Sequence, residues 1–133
     1  MLKKLCFGLA YGLLITLSAC VSSDFLVSNQ AELEEAIENA RPGQTIIMKN
    51  GVWSDIEIVF RGEGERGAPI QLVAQNPGKV IISGQSNLSL AGSYLVVRGL
   101  VFKDGYSPTG TVISFRKSKN QLANHSRVTE TVI

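Results

Sequence analysis

A helical pattern of apolar residues stands near the start of the chain, between residues 28 and 41. Its apolar positions recur three and four residues apart, on one face of a helix; they are Leu33, Ala36, Ile37 and Ala40. Either Ser28 or Asn29 can cap this helix, because Asn29 and Glu32 have the spacing of a capping box. A proline-glycine pair at 42–43 ends the pattern. The sequence therefore predicts one helix over Ser28–Arg41.

Short apolar runs separated by glycine, asparagine and proline follow the helix. The predicted strands are Thr45–Met48, Ile56–Phe60, Ile70–Ala74, Val80–Ser83, Tyr94–Val97, Leu100–Lys103, Val112–Phe115 and Arg127–Ile133. Dipeptides such as Asn50-Gly51, Ala91-Gly92 and Asp104-Gly105 predict turns between them. Two Asn-x-Ser triplets, at 87–89 and 124–126, are interpreted as turns as well. The chain after the helix is therefore predicted to be all-β.

The strands recur at a regular spacing along the sequence. One series of apolar positions is Ile46, Leu72 and Val96, and a second is Ile58, Ile82 and Phe102, with steps of 20–26 residues. Such a period predicts a solenoid of stacked coils, each too small to bury its apolar face alone. The helix is then placed to cover the exposed edge of the first coil. A β-sandwich or barrel is the alternative, and the two-series period favours the solenoid.

The first twenty residues have the pattern of an export signal. Lys3 and Lys4 precede an apolar stretch over 5–17, which is shorter than the roughly 20 residues that span a bilayer. Residues 17–20, Leu-Ser-Ala-Cys, resemble the lipobox of bacterial lipoproteins. The resemblance implies a signal peptide over 1–19, acylation of Cys20, a spacer to residue 24, and export with lipid anchoring to the cell envelope. An ordinary secretory signal and a short anchor remain alternatives.

Removal of that signal changes the charge and the cysteine count. The 133 residues carry 13 Lys and Arg against 11 Asp and Glu, and without Lys3 and Lys4 the counts are 11 and 11. A neutral chain lacks the basic excess typical of nucleic-acid binding, so no nucleic-acid partner is expected. Of the two cysteines only Cys20 remains, which excludes an intramolecular disulfide and a cysteine-based metal site in the processed chain.

Four segments carry a resemblance to a known family. Glu32–Trp53 resembles the N-terminal cap and first coil of pectate-lyase-like right-handed β-helices. Three more segments follow it, Gly67–Gly84, Tyr94–Gly105 and Asn124–Ile133. Taken together in this order, the four segments resemble polysaccharide lyase family 6, which contains alginate lyases and chondroitinase B. The resemblance implies a right-handed parallel β-helix over 25–133, with an N-terminal capping helix.

The resemblance also implies a chemistry. The family cleaves acidic polysaccharides by β-elimination, with a lysine base, an arginine acid, and a Ca²⁺ ion that asparagine and glutamate oxygens hold against the uronate carboxylate. In the family these residues lie on later coils, so the resemblance places the catalytic and calcium residues beyond residue 133. We expect the chain to be truncated at its C-terminus, inactive alone and poorly soluble, because Arg127–Ile133 would leave an uncovered strand edge. The substrate is expected to be alginate, chondroitin sulfate or dermatan sulfate.

Within the chain, Arg116, Lys117 and Lys119 are the candidate substrate-binding residues. They follow a predicted strand and offer charges to the carboxylates of an anionic polysaccharide, although a solvated turn has the same composition. His125, the only histidine, is interpreted as structural, and Trp53 as part of the core. A non-catalytic glycan-binding surface lipoprotein is the alternative function. A glycoside hydrolase would need paired aspartates, and the three aspartates of the chain lie one per region, so the sequence does not support it.

Overall fold

The computed structural model describes residues 23–133. Its elements in chain order are β1 (Phe25–Val27), α1 (Gln30–Asn39), β2 (Thr45–Met48), β3 (Gly51–Ser54), β4 (Glu57–Glu63), β5 (Ile70–Ala74), β6 (Val80–Gln85), β7 (Asn87–Ser93), β8 (Leu95–Arg98), β9 (Leu100–Tyr106), β10 (Ile113–Ser114), β11 (Arg116–Ser118), β12 (Gln121–Asn124) and β13 (Arg127–Thr129). The predicted signal peptide and Cys20 lie outside the described residues. Across 23–133, no helix is both long and apolar enough to cross a membrane.

The strands stack as successive coils in three parallel sheets. The first sheet has the order β1-β2-β5-β8-β13, the second β3-β6-β9, and the third joins β4 to β7, with β10 and β12 both pairing on β7. Each coil therefore contributes one strand to each sheet, and three coils follow one another before β13 opens a fourth. The predicted all-β solenoid of stacked coils is confirmed.

The core is built from columns of apolar side chains in register. In the first sheet Ile46 pairs with Leu72, and Leu72 pairs with Val97, and all three are fully buried. Because side chains alternate between the two faces of a strand, these positions point into the coil while the adjacent side chains point to its outer face. Full burial of one such side chain contributes about 1.5–3 kcal/mol, so stacking supplies a core that no single coil has.

The helix begins at a capping box, as predicted. Asn29 is the N-cap, and its Oδ1 accepts a hydrogen bond from the backbone N–H of Glu32 at 2.9 Å. The Glu32 side chain accepts in return from the backbone N–H of Ser28 at 2.7 Å. The helix is two residues shorter at each end than predicted, because the N-cap Asn29 and the C-cap Ala40 both have an extended backbone. Its apolar stripe packs into the same core as the strands; the buried members are Leu33, Ala36 and Ile37.

The two apolar series predict a repeating unit of two strands, and this is wrong, since each coil has three strands. The second apolar series mixed two sheets: Ile58 pairs with Leu88 in the third sheet, whereas Ile82 pairs with Trp53 in the second. Several strands were missed, among them β3 of the first coil and β7 of the second, and the sequence of β7, NLSLAGS, has the composition of turns. The predicted turns at 87–89 and 91–92 are therefore wrong, and both lie inside this strand.

Two further strand boundaries differ from the prediction. Asp104-Gly105 is not a turn between strands but a bulge within β9, where the register shifts opposite Gly84 and Asp104 has a φ of 56°. The predicted strand Arg127–Ile133 ends at Thr129. Glu130 then adopts a φ of 50°, and Val132 pairs with Val101 in the second sheet. The end of the described chain therefore turns from one sheet to the next.

Candidate functional site

A groove crosses the outer face of the third sheet, over the first two coils. Its volume is about 1010 Å³. The floor consists of outward-facing and backbone atoms of β4 and β7, contributed by Val59, Gly62, Ala91 and Gly92. One wall is the C-terminal end of α1, at Glu38 and Asn39, and the other is the segment from Lys117 to Leu122.

The second wall is a hairpin that leaves the third sheet and returns to it. β10 and β12 both pair in parallel with β7, through Ile113 with Leu88 and Asn124 with Ser93. Between them β11 runs antiparallel to the start of β12 and packs across the outer face of β7. Ala91 faces away from the core, yet it is only 8% exposed because the hairpin lies over it. We call residues 115–122 the wall hairpin.

The structure places all three predicted substrate-binding residues on the wall hairpin. Only Lys117 lines the groove, and its Nζ lies 3.8 Å from Oε2 of Glu57 on β4. Arg116 and Lys119 are exposed on the hairpin outside the groove. The Lys117 side chain thus extends from the third coil past the second and contacts a residue of the first coil. The distance of the two residues along the sequence gives no indication of this contact.

A second ion pair crosses the other side of the groove. Arg61 on β4 and Glu38 on α1 approach to 2.8 Å between Nη2 and Oε2. Sequence reasoning missed this pair. The signal was present in β4, where Glu57, Val59, Arg61 and Glu63 alternate with buried residues and therefore share the outer face. The helix then supplies the partner for Arg61, which only the fold reveals.

Polar side chains form a ladder where the third-sheet strands end. Glu63 pairs with Ser93, which pairs with Asn124, so successive coils place these residues at strand spacing, about 4.8 Å apart. All three line the groove and offer acceptors and donors for hydroxyl groups. One position further, the rings of Tyr94 and His125 stack with centroids 4.6 Å apart and an interplanar angle of 8°. Both residues have a left-handed backbone, with φ of 54° and 51°.

Comparison with known proteins identifies the family. The family model for chondroitinase B matches residues 27–133. The alginate lyase AlyGC of polysaccharide lyase family 6 is 52% identical, with a TM-score of 0.81 over 82% of this chain and 15% of that one. The chain belongs to polysaccharide lyase family 6. No curated protein sequence matches it.

Two further solved structures of family 6 are similar to this chain. A family 6 polysaccharide lyase from Pseudopedobacter saltans is 38% identical, with a TM-score of 0.71 over 80% of this chain and 24% of that one. A mannuronic acid specific family 6 lyase from human gut microbiota is 31% identical, with a TM-score of 0.74 over 83% and 26%. The chain therefore spans between 15% and 26% of the length of these relatives.

Other residues that the sequence singled out have structural contacts in this family 6 chain. Trp53 is 8% exposed, belongs to the core, and donates its indole N–H to the Lys49 carbonyl at 3.0 Å. Asn87 is buried, and its amide donates to Oγ1 of Thr109 at 3.3 Å. Residues 23–133 contain no group of three or more histidine, cysteine, aspartate or glutamate side chains able to hold a metal ion.

Proposed function

We propose that the protein is a polysaccharide lyase that cleaves a uronate-containing polysaccharide by β-elimination. The observation that carries the proposal is the 52% identity to the alginate lyase AlyGC across 82% of this chain. Alginate is the first substrate to test, because a second relative is specific for mannuronic acid. Chondroitin and dermatan sulfate follow, because the matching family model is that of chondroitinase B.

The proposed reaction needs a base, an acid and relief of negative charge. The base removes the proton on the carbon next to the uronate carboxylate, and the acid protonates the departing glycosidic oxygen. The bond from C4 of this uronate to the glycosidic oxygen breaks as a double bond forms between C4 and C5, so this uronate becomes the new non-reducing end. The carbanion-like transition state gains stability when the carboxylate charge is offset, which is the role that the family resemblance gives to Ca²⁺.

We propose no calcium ligand among residues 23–133. The carboxylates of residues 23–133 do not converge into a metal-binding group, so these residues do not fit a calcium site. Calcium dependence and the position of the catalytic residues beyond 133 are proposals from the resemblance. We likewise propose that the 133 residues alone are inactive, since they correspond to only 15–26% of the relatives' length.

The part played by this segment is proposed to be binding. Arg116, Lys117 and Lys119 offer three positive charges along one hairpin, and guanidinium and ammonium groups form the strong, charge-assisted hydrogen bonds that carboxylates accept. The wall hairpin stands beside a groove lined with amide, hydroxyl and carboxylate groups. We propose that a stretch of the anionic polysaccharide lies against this surface.

Two structural features belong to the same proposal. We propose that the coil is right-handed and that α1 caps it; the burial of Leu33 and Ile37 against the first coil supports the capping role. We also propose export with a lipid on Cys20, which rests on the lipobox-like residues 17–20.

Ultraviolet absorbance tests the proposed function. The full-length protein is incubated with alginate, chondroitin sulfate and dermatan sulfate, and the rise in absorbance from the conjugated double bond is followed. A rise with at least one of them is expected. Binding of these polymers without any rise would support the glycan-binding module instead and would overturn the lyase proposal.

A further inference from the structure

Both cations that line the groove are already neutralised by carboxylates of the protein. Lys117 faces Glu57, and Arg61 faces Glu38, across 3.8 Å and 2.8 Å respectively. Each pair joins two separate elements: hairpin to strand, and strand to helix. The groove therefore presents its positive charges only when these internal partners are exchanged for another anion.

The exposure of the two pairs makes such an exchange feasible. The side chains of Lys117 and Glu57 are 41% and 57% exposed, and those of Arg61 and Glu38 are 56% and 60% exposed. Ion pairs in contact with water contribute little to stability, because solvent screens them and side-chain entropy opposes them. A carboxylate of a bound polymer therefore has only a weak internal ion pair to displace.

The spacing of the two cations indicates how large a ligand they hold. Glu57 and Arg61, which mark the two pairs on β4, are four residues apart along one strand, or about 13 Å at roughly 3.3 Å per residue. A single sugar carboxylate cannot contact both. Between them the groove offers the outer side of Val59 and, along its edge, the polar ladder of Glu63, Ser93 and Asn124. These groups suit an oligosaccharide, whose hydroxyl groups need donors and acceptors between its charges.

We propose that the groove is a uronate-oligosaccharide subsite in which Glu38 and Glu57 compete with the ligand for Arg61 and Lys117. The choice of a uronate rests on the proposed function. Glu38 and Glu63 line the groove beside its two cations, and Glu57 lies next to the groove on β4, where it pairs with Lys117. An incoming polyanion therefore has to displace Glu38 and Glu57 from their partners, and it binds weakly at each position. Weak binding at each carboxylate lets a polymer bind and leave quickly instead of being trapped.

The proposal predicts opposite effects for the two halves of each pair. Glu38→Gln and Glu57→Gln remove the competitor and leave the cation free, so affinity for alginate is expected to rise about two- to fivefold, the range given by the strength of exposed ion pairs. Arg61→Gln and Lys117→Gln are expected to weaken binding by a similar factor. A purely structural role for the pairs predicts that all four variants bind equally or more weakly.

Affinity electrophoresis of the full-length protein through gels containing alginate measures these effects. Glu65→Gln and Lys79→Gln are the matched controls, because both residues are exposed and line neither wall of the groove. Methyl-esterified alginate is the control ligand, since its carboxyl groups carry no charge. Melting temperatures verify that the variants fold.

Tighter binding by both glutamate variants, weaker binding by both cation variants, and loss of the difference on the esterified polymer are the expected results. Unchanged or weaker binding by Glu38→Gln and Glu57→Gln overturns the subsite. If the glutamate variants fail this test but the protein still produces unsaturated ends from alginate, the lyase proposal stands and only the subsite is overturned. If the wild type neither binds nor cleaves alginate, chondroitin sulfate or dermatan sulfate, both proposals fall.

Discussion

Replacing Gly92 with alanine is expected to destabilise the protein through a collision between neighbouring coils. Gly92 lies in β7, opposite Gly62 in β4, and its φ is 114°. A Cβ atom there would collide with the carbonyl oxygen of Gly62 and lie 3.0 Å from its carbonyl carbon. Both atoms belong to the backbone of a paired strand, so a side-chain rotation cannot relieve the contact.

The magnitude follows from two separate contributions. A non-glycine residue in this region of φ costs about 1–3 kcal/mol of backbone strain. Overpacking against a neighbour that cannot move aside costs about 1–3 kcal/mol more. Gly92→Ala is therefore expected to lower the free energy of unfolding by about 2–6 kcal/mol.

Gly78→Ala is the matched control for this prediction. Gly78 also has a left-handed backbone, with φ of 83°, but no atom lies within 4 Å of its added Cβ. Gly78→Ala therefore measures the cost of backbone strain alone. Urea denaturation gives the free energy of unfolding of the wild type and of both variants, and the difference between the two variants is the cost of the collision. If Gly92→Ala is no less stable than Gly78→Ala, the close stacking of β4 on β7 described here is wrong.

Three further predictions test the turns, the anchor and the ion. Asn50→Ala is expected to cost about 1–2 kcal/mol of stability in urea denaturation, because Asn50 and Asn76 of successive coils exchange hydrogen bonds of 2.8 and 3.1 Å; an unchanged midpoint contradicts this. Cys20→Ala is expected to abolish incorporation of a labelled fatty acid, and persistent labelling would refute acylation at this residue. Chelation of calcium is expected to abolish cleavage of the polysaccharide and added Ca²⁺ to restore it, whereas full activity in excess chelator excludes the proposed ion.

The sequence predicted the features that local chemistry determines. The helix followed from one apolar stripe and from the pairing of Asn29 with Glu32, both of which act within a few residues. The stacked coils followed from the first apolar series, because Ile46 and Leu72 do occupy equivalent positions of successive coils. The third member of that series was wrong by one residue, since Leu72 pairs with Val97 and not with Val96. This pattern can be read from a single sequence because each new coil buries apolar side chains at equivalent positions.

The third strand of the second coil, β7, was hidden because its composition resembles a turn. In β7 small residues are favoured by close packing: Gly92 approaches Gly62, and Ala91 lies under the wall hairpin. Glycine and serine there serve the stacking of coils instead of a reversal of the chain. Composition alone does not separate these two uses of small residues.

The groove was hidden for a different reason. Lys117 was named as a candidate, but its contact with Glu57 depends on a hairpin that crosses a whole coil. Arg61 was not named, because its partner Glu38 comes from the helix. Pairing between distant elements is set by the stacking of coils, and a spacing pattern does not contain it.

The masses of the products released from alginate by the full-length protein test the central proposal most directly. β-Elimination adds no water, so each new non-reducing end is an unsaturated uronate, lighter by one water than the end that hydrolysis leaves. We predict that mass spectrometry finds these dehydrated oligosaccharides from alginate, or from chondroitin or dermatan sulfate. Products that carry the added water, or no products from any of the three polymers, would contradict the assignment of lyase chemistry to this protein.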